Sequence, residues 1–559
     1  MTKIVGIDFG TTNSLVAFAQ QGKVRTIKSK DVEHILPSVV CKFNGKLIVG
    51  KEAKENLGAF SKGDGIKEIK KYIGKNKKIK FDGHMVQPHE IAAIILRKIK
   101  RNLQLYFNEE ITDVVITVPA QFSDAQRKEI IQAGEAAGFN VRKIINEPTA
   151  ALLAYAAENF IQKETVLCYD YGGGTFDVSI AEITSNSGGQ SVKILATGGN
   201  RELGGSDIDK ILFNVINQDL KQTKGFSFNS SGTNLDFGAL QVFEAVEALK
   251  IELTEKYDAS ISIPALQKPN GGTVGYFKKI KRSYFESLIK EEIIKTIEIV
   301  KNVAMDSKIP LSKIDKVLLV GGTSRIPLVK KKIESQLNIS TTFGKINPDE
   351  CVAIGAGIEA ANLSGISLLK KKISITRDVC PFTLGLKYGD GINNDLFDPL
   401  ITKNFPYGDE FSEEYSTALD YQNTMELEIY QGESKRASEN EKVCNFIVRN
   451  IPERTAGKET IRITFKYNTD GILMIKAKVL STGIEMTHKH KYGYSIEASR
   501  TTKIRVESHF IENNKVEEAI ALVNSLKKHN SSQDGKRIIE AIKYEDKEEL
   551  DDIMADLLD

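Results

Sequence analysis

Two stretches of the sequence end an apolar run on a carboxylate and continue with small hydrogen-bonding residues. The first, IVGIDFGTTNS, contains Asp8, and the second, VLCYDYGGGTFD, contains Asp170. A charge is costly to bury without a partner, so we expect each carboxylate to face a ligand. Glycines let the backbone approach a phosphate closely, and the free amides of such turns form an anion-binding nest.

A carboxylate repels a phosphate, so a cation must lie between the two groups. We therefore predict a Mg²⁺ ion that Asp8 and Asp170 hold through water. A third stretch, KVLLVGGTSRIP, again runs from an apolar segment through Gly-Gly to a pair of hydroxyl residues. Because the two carboxylate turns lie far apart in the chain, the sequence predicts two related lobes that clamp a nucleotide triphosphate between them.

The elements that position these turns follow an α/β pattern, in which short apolar runs alternate with helical patterns. In SDAQRKEIIQAGEAAG, for example, Ser123 can cap a helix and Gly138 can end it. After about Arg377, segments such as TMELEIY and TIRITFKY alternate apolar and polar residues, which predicts an all-β unit with one face in solvent. The predicted divisions are an α/β domain (1–370), a linker (371–379), an all-β domain (380–500) and a short helical segment (501–559).

Composition excludes several classes of protein. The 559 residues carry 77 Lys+Arg against 74 Asp+Glu, so no bulk charge favours nucleic acid, and the basic run at 67–80 is typical of a solvated face. The five cysteines are scattered and form no CxxC, which argues against a disulfide framework or a zinc site. No signal-peptide pattern or membrane-length apolar run is found, so we expect a cytoplasmic monomer that binds neither nucleic acid nor membrane.

Three competing motifs do not hold. The P-loop pattern GxxxxGK[ST] does not occur. Residues 355–360 match the dinucleotide fingerprint GxGxxA loosely, but they lie on an alanine-rich stretch, which indicates close helix packing instead. DFG occurs at 8–10 and 236–238 without HRD or VAIK, so a protein kinase is excluded.

A series of motifs extends through both the α/β and the all-β parts: GIDFGTTNS, VITVPAQFSDAQR, IINEPTAALLAYA, YDYGGGTFDVSI, LGGSDID, VLLVGGTSRIP, NPDECVAIGA, QGESKRASENEKVCNFIVRNIP and TDGILMIKAKVLSTG. Over residues 3–490 they resemble the DnaK-type, seventy-kilodalton heat-shock chaperones. The resemblance implies an actin-like two-lobed ATPase domain, a linker, a β-sandwich that binds peptide and a short α-helical lid. It also implies ATP or ADP with Mg²⁺ as ligands, K⁺ as a further candidate, and a client peptide and a J-domain co-chaperone as partners.

The resemblance assigns chemical roles to individual residues. Lys70 corresponds to the catalytic lysine that places a charge on the transferring phosphoryl group, and Glu147 to the residue that positions or deprotonates the attacking water. Asp8 and Asp170 hold the waters around Mg²⁺. Catalysis of this kind is mostly positioning and charge stabilisation. Two further catalytic residues are Thr175 and Asp177, and the nucleotide-binding residues are Asp8, Gly10, Thr11, Thr12, Asn13, Gly173, Gly174, Thr175, Gly204, Gly205, Glu247, Lys250, Ile251, Thr254, Gly322, Thr323, Ser324, Arg325 and Asp349.

The adenosine side is predicted on one helix face and one turn. Glu247, Lys250, Ile251 and Thr254 fall at i, i+3, i+4 and i+7, which places them on a single face. Glu247 accepts the ribose hydroxyls in this interpretation, and the guanidinium of Arg325 stacks on adenine. In the all-β domain, the resemblance assigns the peptide channel to Leu386, Tyr415, Ala418, Met425 and Leu427, although spacing alone indicates only a core.

The sequence departs from the family pattern in five places. Ser374–Arg377 replaces the aliphatic linker, which predicts weaker docking between the domains. The segment 501–559 is about half of a family lid, and the stretch between Gly74 and Val114 is short, as in the HscA-type branch. Lys143 stands where an arginine often meets the J-domain, which loses the fork geometry. Gln121 replaces a tyrosine.

The best-supported function is therefore an ATP-gated, peptide-binding chaperone. The short stretch favours an HscA-like member that serves an iron–sulphur scaffold protein, and a general DnaK-like folding chaperone is the alternative. Sugar or glycerol kinases and actin-like filament proteins share the lobed fold, but neither needs an all-β domain after a linker.

Overall fold

The structure is a computed structural model. It describes residues 3–29, 32–43, 46–56, 65–75, 77–229, 236–366, 368, 372–389, 393–468 and 473–489. The predicted helical lid at 501–559 and the last residues of the predicted all-β domain lie outside the described residues.

The first lobe is built on a sheet of strand order β11-β10-β1-β2-β3, with β4 beside β2. Strands β5 to β9 form two small sheets above it. The elements are β1 (Ile4–Phe9), β2 (Asn13–Gln20), β3 (Lys23–Thr26), β4 (Leu36–Pro37), β5 (Val39–Phe43), β6 (Lys46–Val49), α1 (Lys51–Asn56), β7 (Gly65–Lys67), β8 (Ile79–Phe81), β9 (His84–Val86), α2 (Pro88–Phe107), β10 (Asp113–Val118), α3 (Asp124–Ala136), β11 (Asn140–Asn146) and α4 (Glu147–Glu158).

The second lobe is built on a sheet of strand order β18-β17-β12-β13-β14-β19, and β15 pairs with β16 in a separate hairpin. The elements are β12 (Lys163–Tyr171), β13 (Phe176–Asn186), β14 (Gly189–Asn200), α5 (Gly205–Lys224), α6 (Phe237–Glu255), β15 (Asp258–Gln267), β16 (Thr273–Lys281), α7 (Arg282–Ser307), β17 (Lys316–Val320), α8 (Pro327–Leu337), β18 (Thr341–Thr342), α9 (Cys351–Leu363) and β19 (Ile373–Arg377).

The two lobes repeat one arrangement, as the repeated carboxylate turn predicts. In the first, β1 is antiparallel to β2 and parallel to β10, and in the second, β12 is antiparallel to β13 and parallel to β17. Strand β10 (DVVITV) is buried along its whole length, as expected for a strand that is covered on both faces. Helix α3 begins after Ser123, whose hydroxyl accepts from the Gln126 N–H, and Gly138 follows its end with φ +79°.

The all-β domain consists of two sheets around one apolar core. Their strand orders are β21-β20-β23-β24 and β22-β25-β26-β27. Side chains such as Ile429, Phe465 and Ile475 are fully buried between them. The strands are β20 (Leu384–Tyr388), β21 (Leu396–Ile401), β22 (Glu410–Ser416), β23 (Met425–Gln431), β24 (Glu441–Val448), β25 (Thr460–Tyr467), β26 (Leu473–Val479) and β27 (Glu485–Lys489).

Helix α9 packs closely against α4 and β1, which agrees with the interpretation of GxGxxA as a packing motif. A Cβ atom on Gly355 would lie 1.8 Å from the Ala150 carbonyl oxygen of α4, and one on Gly6 of β1 would lie 2.2 Å from the Gly357 nitrogen. These contacts require glycine and fix the helix between α4 and the sheet that contains β1. Within the described part of the chain, no helix combines the length and the apolar character needed to span a membrane.

Candidate functional site

The two carboxylate turns face each other at a distance that only glycine permits. A Cβ atom on Gly173 would lie 2.1 Å from Thr12 Oγ1, and one on Gly174 would lie 2.5 Å from Thr11 Cγ2. The hydroxyl of Ser38 donates to the Gly10 carbonyl at 2.8 Å and fixes the first turn. The structure therefore brings both predicted phosphate loops to one place between the lobes.

Four carboxylates and one lysine meet beneath these loops. Lys70 is 3% exposed, and its Nζ lies 2.5 Å from Glu147 Oε1 and also donates to the Phe9 carbonyl. Glu147 is the first residue of α4, with proline next to it, so its carboxylate lies at the positive end of that helix. Asp8 Oδ1 accepts from Thr117 Oγ1 at 2.8 Å, and Asp177 Oδ1 accepts from the Gln121 N–H at 3.2 Å.

The cluster is short of positive charge, because four carboxylates share one lysine. Burial and the repulsion between the carboxylates therefore raise the pKa values of the three aspartates. Burial, followed by the charge of Glu147, raises the pKa of Asp8 to about 7, although Lys70 and Thr117 oppose the shift. The same two causes raise the pKa of Asp177 to about 7. Burial and the neighbouring carboxylates raise the pKa of Asp170 well above its ordinary value. A divalent cation would restore the balance.

The donor set fits a hydrated Mg²⁺ ion. Oxygen ligands suit this ion, which keeps several of its waters when it binds to protein carboxylates. Among the described residues, no three acidic, histidine or cysteine side chains converge closely enough to hold a metal directly. Asp8 and Asp170 therefore suit contact through water rather than direct ligation.

The cleft between the lobes has a volume of 1210 Å³ and extends from these carboxylates to helix α6. This size suits a nucleotide, whose surface a pocket must largely enclose. The predicted residues that line it are Asp8, Gly10, Thr11, Thr12, Asn13, Glu147, Asp170, Gly173, Gly174, Thr175, Glu247, Lys250, Ile251, Thr254, Gly322, Thr323, Arg325 and Asp349.

Five predicted residues lie behind the lining. Lys70 and Asp177 belong to the buried charge cluster described above. Gly204 and Gly205 pack against the second phosphate loop, because the Gly205 N–H donates to the Gly172 carbonyl at 3.0 Å and a Cβ on Gly204 would lie 2.5 Å from the Gly174 carbonyl carbon. Ser324 is 1% exposed, and its hydroxyl donates within its own turn to the Gly321 carbonyl at 2.6 Å.

Helix α6 presents the predicted face to the cleft. Lys250 Nζ lies 2.8 Å from Asp209 and 3.1 Å from the Gly205 carbonyl, which leaves its stem along the cleft wall. Ile251 is 57% exposed there. Opposite α6, Arg325 is held edge-on by Asp349 at 2.8 Å and by Asn347 at 2.7 Å, and one flat face of a guanidinium held in this way can stack on a base.

Sequence reasoning missed contacts that cross the cleft. Lys54 of α1 lies 3.2 Å from Glu247 of α6, and Lys71 contacts Ser206 and Asp207 of α5. Both lysines join the first lobe to the second above the nucleotide space. No local pattern reveals such a pair. Asp209, in contrast, lies in the conspicuous motif LGGSDID, where it could have been recognised.

Comparison with known proteins decides the family. The Hsp70 protein family matches residues 4–559. Chaperone protein DnaK of Thermosipho africanus is 38% identical over 487 residues, which cover 87% of this chain and 79% of that protein. Chaperone protein DnaK of Thermotoga maritima is 38% identical over 501 residues, with coverage of 87% and 81%.

This chain belongs to the Hsp70 family. Its two-lobed domain is the ATPase of that family, which drives a chaperone cycle. The DnaK-type resemblance carried by the motifs is thereby confirmed.

The segment predicted as linker contributes a strand to the second lobe. Residues 373–377, predicted as linker, are strand β19 and pair in parallel with β14 at the sheet edge. The next residue, Asp378, is partly buried, and its Oδ2 accepts from Asn146 Nδ2 and Thr149 Oγ1, each at 3.3 Å. These donors lie on either side of Glu147, so the linker contacts the segment that carries a predicted catalytic residue.

The β domain rests directly on the ATPase domain. Gln431 Oε1 accepts from the Asp124 N–H at 3.1 Å, and Glu441 Oε1 accepts from Ser123 Oγ at 2.8 Å, both at the start of α3. The Arg201 guanidinium lies 5.7 Å from the centre of the Phe382 ring. The structure thus shows the two domains docked.

The predicted peptide-channel residues fall into three groups. Leu386 and Leu427 are buried in the core of the β-sandwich, whereas Tyr415 and Met425 pack at its margin. The Tyr415 hydroxyl donates to Asp398 at 3.0 Å and links the two sheets. Ala418 is exposed in the loop between β22 and β23.

Proposed function

We propose that this protein binds and releases extended apolar peptide segments under the control of ATP hydrolysis. The main support is a chain of contacts that begins at the β14–β19 pairing. Asp378, which follows β19, accepts hydrogen bonds from Asn146 and Thr149, and these two residues flank Glu147. A change in nucleotide state that moves α4 would alter these contacts, and a change in the β domain would be transmitted in reverse. Nucleotide can shift the domain equilibrium only by binding one state more tightly than the other.

The proposed hydrolysis depends on charge placement. Lys70 would stabilise the transferring phosphoryl group, and Glu147 would orient the attacking water or take its proton. Asp8, Asp170 and Asp177 would hold the water shell of the Mg²⁺ ion, which neutralises phosphate charge when it is bound. Thr11, Thr12 and the glycines at 173 and 174 would donate backbone N–H groups to the phosphates.

The proposed peptide site is the margin of the β-sandwich around Tyr415 and Met425. An extended peptide can use backbone hydrogen bonds for affinity and apolar pockets for selectivity. The relatives are named chaperone protein DnaK, so we propose general client binding. The HscA-like iron–sulphur specialisation, a scaffold client, K⁺ binding and a cytoplasmic location stay predictions. A pull-down that recovers an iron–sulphur scaffold, and no heat-denatured bulk protein, would support the specialisation.

A J-domain partner is part of the proposal, and Lys143 bears on it. Its Nζ lies 2.7 Å from Glu359, and both side chains are largely buried. A partner that contacts Lys143 would have to share or break this ion pair. We therefore expect Lys143→Ala to perturb the protein itself as well as any J-domain binding.

Single-turnover ATP hydrolysis tests the proposed function. The purified protein would be mixed with limiting ATP, with and without an excess of an extended apolar peptide. We expect the peptide to accelerate hydrolysis, because the β domain contacts the ATPase through Asp378. Hydrolysis at an unchanged rate would contradict gating by peptide while leaving the ATPase intact.

A further inference from the structure

The loop between β22 and β23 displays two large apolar side chains. Leu419 is 68% exposed and Tyr421 is 66% exposed. The loop, residues 417–424, directly joins the strands that carry the predicted channel residues Tyr415 and Met425. We call Leu419 and Tyr421 the apolar ledge.

Tyr421 has a backbone conformation that bulky residues avoid. Its φ is +57°, in the left-handed region where the Cβ of an L-residue meets the following carbonyl. Strain of this kind persists only where the surroundings impose it, and it clusters at functional sites. An exposed aromatic residue whose backbone is held in an unfavourable conformation is a reason to look for a ligand.

The surrounding loops impose this conformation through the backbone. The Tyr421 N–H donates to the Arg454 carbonyl at 2.7 Å, and the Gly457 N–H donates to the Thr417 carbonyl at 2.7 Å. Asp420 Oδ1 accepts from the Ala456 N–H at 2.8 Å. Within the loop, Gln422 Oε1 accepts from the N–H groups of Ala418 and Leu419, at 2.8 Å and 3.2 Å.

A buried carboxylate secures the same end of the sandwich. Glu459 is 0% exposed, and its Oε1 lies 3.0 Å from Arg454 Nε. Its other oxygen accepts from the hydroxyl of Ser481, and its carbonyl accepts from the Thr417 N–H at 3.0 Å. Three loops are thereby tied together, so the backbone that carries the ledge is held by hydrogen bonds from its neighbours.

We propose that the apolar ledge binds a bulky apolar or aromatic side chain of the client peptide, beside the side chains held in the channel. The inference rests on the proposed function and names an additional contact for the same site. The loop that carries the ledge joins the end of β22 next to Tyr415 to the start of β23 at Met425, so the ledge lies at the same end of the sandwich as these two predicted channel residues. A loop whose backbone is already held by hydrogen bonds loses little backbone entropy on binding.

The test compares three fluorescent peptides by dissociation rate in the presence of ADP. One is a short apolar core peptide, and the others add a phenylalanine at its amino or its carboxyl end. We expect the wild-type chain to release one extended peptide about threefold to tenfold more slowly than the core peptide, the range of one aromatic contact.

Two ledge variants should remove this difference. In Leu419→Asn and Tyr421→Asn we expect the favoured extended peptide to be released at the rate of the core peptide, and the core peptide to be released as in wild type. Asparagine tolerates positive φ, so Tyr421→Asn should melt no lower than wild type. Phe277→Asn, which removes a 68% exposed aromatic ring from the ATPase domain, is the matched control and should keep the difference.

Three outcomes would overturn the proposal in distinguishable ways. Equal release of all three peptides by the wild-type chain would show that the ledge makes no client contact. Faster release of all three peptides from both variants, with the difference between core and extended peptide kept, would show that the ledge shapes the site and does not contact the added phenylalanine. Failure of the wild-type chain to bind the core peptide would refute the proposed function itself.

Discussion

At the scale of single residues, the nucleotide site depends on a shortage of positive charge. Lys70 is the cation in contact with Glu147, and Asp8, Asp170 and Asp177 lie close enough to raise one another's pKa or to have it raised by Glu147. Such a cluster attracts a divalent ion and a phosphate together. Charge stabilisation is the largest single contribution in many enzymes.

The first prediction concerns Lys70. We expect Lys70→Ala to lower single-turnover hydrolysis about 100-fold or more, because a positioned charge on the phosphoryl group is lost. Nucleotide binding, followed with a fluorescent ATP analogue, should persist because the glycine loops and α6 remain. Lys78→Ala, an exposed lysine of the same basic run, is the control. Normal steady-state hydrolysis by Lys70→Ala would rule out the catalytic assignment.

The sequence predicted the phosphate loops from local chemistry, but it could not separate Lys70 from its neighbours. A strand that ends on a carboxylate followed by glycine and hydroxyl residues is unsuited to packing, so it indicates a ligand. A lysine in the run at 67–80, in contrast, has the pattern of a solvated face. Only the family resemblance singled out Lys70, which the structure buries. Lys54 and Lys71 were missed because their partners on α5 and α6 lie far away in sequence.

At the scale of elements, close packing of glycines fixes helix α9. We predict that Gly355→Ala lowers the free energy of unfolding by about 1–3 kcal/mol, because the new methyl group would meet the Ala150 carbonyl and force a backbone shift. Chemical denaturation measures the change. Gly275→Ala is a matched control, because its Cβ would find ordinary space 3.6 Å from the Pro264 carbonyl oxygen. An unchanged midpoint for Gly355→Ala would contradict the packing interpretation.

The linker is also an element, and its pairing with β14 carries a prediction. Proline in a strand removes a hydrogen-bond donor and disrupts pairing. We expect Ile375→Pro to abolish the stimulation of hydrolysis by peptide, with basal hydrolysis unchanged because residue 375 lies outside the cleft lining. Ile375→Val, which keeps a β-branched side chain, should retain stimulation. Full stimulation in Ile375→Pro would show that strand β19 is dispensable for coupling.

The spacing of apolar residues and the capping residues predicted where helices and strands lie better than they predicted which strands pair. The alternation in TIRITFKY predicted a strand where β25 lies, and Ser123 predicted the start of α3. The loss of leucines at 374–377 predicted weaker docking, a prediction that stays untested, yet these residues form an edge strand. Parallel pairing is made by the backbone, so side-chain composition says little about it.

At the scale of the whole molecule, the docked arrangement can be followed with a single fluorophore, because the chain contains no tryptophan. Phe382→Trp keeps an aromatic ring against Arg201, and its emission should change when the domains separate. We expect different emission maxima with ATP and with ADP. Adding Arg201→Ala should reduce the difference, and identical spectra in both nucleotides would mean that docking does not follow the nucleotide.

Docking should also depend on pH, through Glu441. Burial raises the pKa of this carboxyl above its ordinary value of 4.5, and Asp124 adds to the rise, whereas Ser123 and Arg201 oppose it. All three neighbours belong to the ATPase domain, so separation of the domains should return the pKa toward 4.5. Docking therefore takes up a proton, which means that it strengthens as the pH falls through the raised pKa and weakens above it.

We expect the tryptophan emission of Phe382→Trp to show more docking at a pH of about 5.5 than at about 7.5, and Glu441→Gln to remove that dependence. If the emission still changed with pH in Glu441→Gln, the proton taken up on docking would belong to another group.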